Sequence, residues 1–167
     1  MSYDLVVFDP IVAPQDREKF VHWYRRTATW EDSRDDTVPG RCSPSLKSWF
    51  LEMIEIHPAL NGPYAKPLGL TEDPLEADYC MADHLIYVAF SASKPAAYQT
   101  SFTLAAKHAV GLFAVSEPSG EVWFPDGNGG LALAHKSAES DSQSDVGAIK
   151  VGEVVSLLMQ QLSGGQR

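Results

Sequence analysis

Tyr79-Cys80-Met81 and His84-Leu85-Ile86-Tyr87-Val88-Ala89-Phe90 form the stretch on which the fold turns. The two runs are separated only by Ala82-Asp83, and the second is apolar enough for a central position, so they read as paired strands in the middle of a sheet. Downstream, Ser93 as N-cap and Pro95 near the first turn open a helix. Its Ala97, Ser101, Phe102, Ala105, Ala106 and Ala109 allow close packing on a sheet, and Gly111 supplies a stop. Leu112 to Ser116 and Glu121 to Phe124 then flank Glu117-Pro118-Ser119-Gly120, a hairpin signature.

Upstream, the breakers Asn61-Gly62-Pro63 and Lys66-Pro67-Leu68-Gly69 make 61–78 a long surface loop. Before it, Ser43-Pro44 reads as N-cap and N1, with Leu46, Trp49, Phe50, Met53, Ile54 and His57 at helical spacing, which predicts a helix over 44–57. Trp30 to Cys42 is a charged connection broken by Pro39-Gly40. Phe20, Trp23, Tyr24 and Thr27 recur at i, i+3, i+4 and i+7 in a helix over 15–27. Tyr3 to Phe8 is a strand ended by Pro10 and Pro14. The order β-α-α-β-β-α-β-β predicts an α+β fold, a small, mostly antiparallel sheet with helices on one face. Trp23, Tyr24, Trp30, Trp49 and Phe50 would form a core between the first two helices.

One globular domain is expected over 1–125. Asp126-Gly127-Asn128-Gly129-Gly130 and the small polar residues 137–145 read as a flexible linker over 126–145. An apolar pattern over 146–162 predicts a C-terminal helix that docks on the body or self-associates with another chain, and 163–167 reads as a disordered, frayed tail.

The chain of 167 residues carries 22 acids against 13 basic residues, a net charge of −9. Glu31, Asp32, Asp35 and Asp36 form one acidic cluster, and Glu72, Asp73, Glu76, Asp78 and Asp83 a second. Such fields repel nucleic acid and anionic membrane and attract basic proteins, so the expected partner is a basic protein. Trp30 amid the first cluster has the composition of an interface anchor. The amino terminus reads as a strand rather than a signal peptide, and no run reaches the ~18 apolar residues of a membrane helix. With only Cys42 and Cys80, a reduced, cytoplasmic protein is expected.

Catalytic and metal signals are weak, and no metal or cofactor is predicted. His22, His57, His84, His108 and His135 lack ligand spacing. Cys80 near Asp83-His84 reads as a packed thiol, because nucleophile and base normally converge from distant segments. Cys42 is the better candidate for reactivity, since a helix N-terminus lowers a thiol's pKa. Glu52 and Glu55 read as a solvated helix face. The Asp126 to Gly130 stretch lacks the spacing of a calcium or phosphate loop. An alternative to partner binding is a small enzyme or ligand-binding pocket near the 61–78 loop, using Asp83, His84 or Tyr87.

Tyr3-Asp4-Leu5-Val6-Val7-Phe8, Phe20-Val21-His22-Trp23-Tyr24, Trp49-Phe50-Leu51-Glu52-Met53 and Asn61-Gly62-Pro63, with Ile86 to Phe90 and Val110 to Ser116, together resemble small bacterial proteins of mostly unassigned function. These are similar to immunity proteins of polymorphic-toxin systems. The resemblance covers residues 3–125 and implies a non-enzymatic antitoxin that binds and neutralises a cognate toxin; the tail after Pro125 departs from it.

Overall fold

Every residue of Tyr3–Phe8 is buried, on both sides of the strand, which demands cover on both faces of whatever sheet it joins. In the computed structural model, which describes residues 2–28, 37–65, 75–91 and 94–137, that strand is β1. It is followed by α1 (Arg17–Thr27), a 3-10 turn (Pro39–Arg41), α2 (Pro44–Ile56), β2 (Ala77–Ala82), β3 (Leu85–Phe90), α3 (Lys94–His108), β4 (Gly111–Phe113), β5 (Val122–Pro125) and β6 (Leu131–His135). The strands form one sheet in the order β2-β3-β1-β4-β5-β6. Every neighbouring pair is antiparallel, with Leu5 opposite Val88 and Val7 opposite Leu112 at the centre. The fold is α+β.

Period-two alternation divides the core in two. Leu5, Val7, Tyr79, Met81, Ile86, Val88 and Leu112 pack with Trp49, Phe50 and Met53 of α2 and Leu104 and Ala105 of α3. Val6, Phe8, Leu85, Tyr87, Phe113 and Phe124 pack on the opposite face with Phe20 and Tyr24 of α1. This second core is an aromatic mosaic: Phe20 meets Phe8 at 5.1 Å and Phe113 at 5.4 Å between ring centroids, both edge to face. Two expectations are thereby corrected. The helices cover both faces rather than one, and Trp23 with Tyr24 lies across the sheet from Trp49 with Phe50. The unbroken burial of β1 is the physical reason.

The 126–145 linker is also corrected in part, because Leu131–His135 is a strand paired with β5. Its glycines are turn chemistry: Gly127 and Gly129 take φ of 80° and 86°, and the Asp126 carboxylate accepts from the amides of Asn128 at 2.7 Å and Gly130 at 2.9 Å. Residues 138–145, the expected helix 146–162 and the tail 163–167 lie outside the described residues. At the end of α3 it is Ala109 that takes the left-handed φ of 52°. Gly111 has a different role, since a Cβ there would overlap the Phe8 ring.

Candidate partner-binding surface

α2 ends at Ile56, and His57 caps it by donating its backbone N–H to the Met53 carbonyl at 2.8 Å. His57 is buried and its ring stands edge-on to Phe90 with centroids 4.9 Å apart. Tyr79 donates its hydroxyl to the His57 carbonyl at 2.7 Å, and His57 Nδ1 lies 3.0 Å from the Leu75 carbonyl. A carbonyl only accepts, so the ring proton of that contact sits on Nδ1. The residue pins the backbone at 75 to the end of α2.

That pin covers the start of one edge of the sheet. Ala59 pairs in parallel with Ala77, where the Ala77 amide donates to the Pro58 carbonyl and the Leu60 amide to the Ala77 carbonyl, both at 2.9 Å. Asn61 Nδ2 donates to Asp78 Oδ1 at 2.5 Å. On this locked backbone Leu60 is 57% exposed, and Ile56 and Leu75 are each 43% exposed. Tyr64 is also exposed, its ring edge against Phe50. Glu76 and Asp78 are half-buried on the same segment. Large apolar side chains beside carboxylates on a fixed frame are features that protein-docking surfaces share, which makes this segment the candidate surface.

Of the acids expected at an interface, Glu76 and Asp78 stand on this surface. Trp30, Glu31, Asp32, Asp35, Asp36, Glu72 and Asp73 lie outside the described residues. The apolar members Ile56, Leu60, Tyr64 and Leu75 are not legible as a group in the sequence. The only local signal is a large leucine set among the breakers Pro58 and Asn61-Gly62-Pro63.

At the far end of the β2 edge the Cys42 thiol donates to the Ala82 carbonyl at 3.3 Å, and Arg41 Nε pairs with Asp83 Oδ1 at 3.1 Å. Burial, then the negative charge of Asp83, push the Cys42 thiol up to about 11. The activation that a helix N-terminus could give the better thiol candidate is opposed here, because desolvation and a neighbouring carboxylate both disfavour the thiolate. Cys80 is buried. Asp83, His84 and Tyr87 do not converge: Asp83 faces Arg41, His84 is exposed, and Tyr87 donates to Asp4 Oδ2 at 2.7 Å inside the α1-side core. Glu52 accepts from Lys107 Nζ at 2.7 Å and lies 2.8 Å from His108 Nε2, tying α2 to α3. Those two hydrogen bonds, Lys107 first, hold its carboxyl below the usual range. Glu55 is exposed.

Sequence reasoning misses two further groups. Asp4 sits buried in an apolar strand with its amide on Ser116 Oγ at 2.8 Å, while its Oδ1 and the Tyr24 hydroxyl are buried without a hydrogen-bond partner. Burial first, then Asp4, raise the phenols of Tyr24 and Tyr87 far above their ordinary range. On the outer side of α1, Pro14, Lys19, His22, Trp23 and Arg26 line an open depression of about 620 Å³. Among the described residues there is no cluster of His, Cys, Asp and Glu that could hold a metal ion, and no helix long and apolar enough to cross a membrane.

No protein-family model, no curated protein and no solved structure matches the chain.

Proposed function

We propose that the protein is a non-enzymatic immunity protein, acting in the cytoplasm, that binds and neutralises a basic bacterial toxin. The observation that carries this reading is the β2 edge, where Ile56, Leu60 and Leu75 are exposed on backbone locked by His57, Ala77 and Asn61. Apolar groups on a pre-ordered frame lose little entropy when covered, so more of their burial appears as affinity. Glu76 and Asp78 beside them favour approach of a positively charged partner, as does the net charge of −9. The acids 31–36, with Trp30, supply a second contact in this reading.

The test is affinity capture of a basic bacterial protein by the purified protein, with the captured partner then followed by biolayer interferometry across a salt series. The Leu60→Lys, Leu75→Lys double variant is expected to bind at least about 100-fold more weakly, through loss of apolar anchors and repulsion of a basic partner. Wild-type association is expected to slow as salt rises, because screening acts over about 8 Å at physiological ionic strength. A double variant that folds and binds as tightly as wild type overturns the assignment.

A further inference from the structure

β6 is the last strand of the sheet, and among the described residues no backbone hydrogen bond reaches its outer side. The phase of its ladder follows from the hairpin, where the Asp126 amide donates to the Gly130 carbonyl at 3.0 Å. Hydrogen-bonded positions alternate in an antiparallel pair, so Phe124 and Ala132 bond next, and Leu131 and Leu133 turn their N–H and C=O groups outward. Natural edge strands are usually blunted by lysine, proline, an inward charge or a bulge, and the one register irregularity against β5 falls at Ala134, beyond the Leu131–Leu133 stretch. Leu131-Ala132-Leu133 itself has none of these, its residues are exposed or half-exposed, and Leu133 is 43% exposed.

We infer that β6 is the docking edge for a second copy of this chain, paired antiparallel about a two-fold axis at Ala132. The Leu-Ala-Leu core of the strand reads the same in both directions, so the axis sets Leu131 of each copy opposite Leu133 of the other. Each such pair exchanges two backbone hydrogen bonds and buries a leucine pair on one face, while Ala132 meets its own counterpart with no bulk to hold the strands apart. The charges at the strand ends are complementary under the same operation. Asp126 stands at the hairpin end and Lys136 at the other, so antiparallel pairing brings the Lys136 end of each copy to the Asp126 end of its mate. A basic partner is disfavoured here, because Arg17, whose Nη1 lies 3.4 Å from His135 Nδ1, joins Lys136 at that end. Five residues of edge bury less than the ~1,200–2,000 Å² of a standard interface, so the dimer is a weak one in exchange with monomer.

Sedimentation equilibrium of the full chain from about 5 to 500 μM tests this, a range that spans the dissociation constants of such small interfaces. The weight-average mass is expected to climb from one chain toward two. Leu133→Lys, the charge that natural edges use, should raise the dissociation constant at least about tenfold. Leu131→Pro deletes an outward amide without touching a β5–β6 bond and should do the same, with circular dichroism verifying the fold of each variant. A wild-type chain that stays monomeric throughout overturns the inference. So does a folded Leu133→Lys that dimerises as strongly as wild type, since another surface would then hold the copies together.

Discussion

At the start of the β2 edge the outward backbone of Ala77 is engaged by the chain itself, through Pro58 and Leu60, and the Cys42 thiol reaches Ala82 at the other end; at the β6 edge, among the described residues, no backbone partner reaches the outer side. The covered start of the β2 edge presents side chains on fixed backbone, leucines and carboxylates that, in the proposed function, select a partner by shape and charge. The open edge presents hydrogen-bonding groups and apolar side chains, which in the inferred dimer pair with a strand. The two proposals thus place two kinds of recognition on one sheet, and the edges differ in whether a loop has returned to bond the first strand residue.

The deepest contrast between the two ends is in packing. Trp49 is fully buried beneath the sheet, whereas Leu133 stands exposed on β6. Trp49→Ala is expected to cost roughly 3–5 kcal/mol in urea unfolding, as for other large-to-small core changes. An unchanged midpoint would contradict the placement of α2 in the core.

The closed edge depends on His57, held by the Tyr79 hydroxyl. Tyr79→Phe leaves the buried His57 carbonyl without that donor and is expected to cost about 1–2 kcal/mol. Hydrogen exchange at the amides of Leu60 and Ala77 should accelerate in the same variant. Protection equal to wild type would separate the pin from the edge it is argued to close.

A third effect is confined to alkaline pH. The folded Cys42 thiol, raised from an ordinary value of 9.0 to about 11, is protonated where the unfolded thiol ionises. Its contribution to stability is therefore fully present below pH 9 and is lost as pH rises through about 11. Alkylation of Cys42 in a Cys80→Ala background should be slow at neutral pH and climb through that range. A midpoint at or below 9 would place the thiol in an activating environment instead. The smallest expected effect on stability is that of Leu133→Lys, about 1 kcal/mol or less, because the residue is 43% exposed and the lysine methylenes can keep part of its contact with the sheet. A larger loss in thermal unfolding would mean that β6 is covered.

How much of this is legible in the sequence depends on the element. The 44–57 helix is, because Trp49, Phe50 and Met53 share one stripe at 3.6-residue spacing and Pro44 marks its start. β3 and the β4–β5 hairpin are legible for similar local reasons. The position of α1 across the sheet is less so, since an aromatic stripe does not say which face it will meet, although the continuous apolar run of β1 signals cover on both sides. β6 is obscured by glycine and asparagine, which serve a tight hairpin as readily as a flexible segment. The candidate surface is mostly hidden, because it is assembled by hydrogen bonds between 57–61 and 75–78, residues brought together only by the tertiary fold. Charge alone points to Glu76 and Asp78 and passes over Leu60 and Leu75.

The central claim, that the β2 edge neutralises a basic toxin, is tested most directly by growth of a bacterial strain expressing the captured basic partner together with wild type, the Leu60→Lys, Leu75→Lys double variant or Leu133→Lys protein at matched levels. Wild type and Leu133→Lys are predicted to protect the cells, and the double variant at the closed edge to fail although it folds. Full protection by the folded double variant would contradict the account.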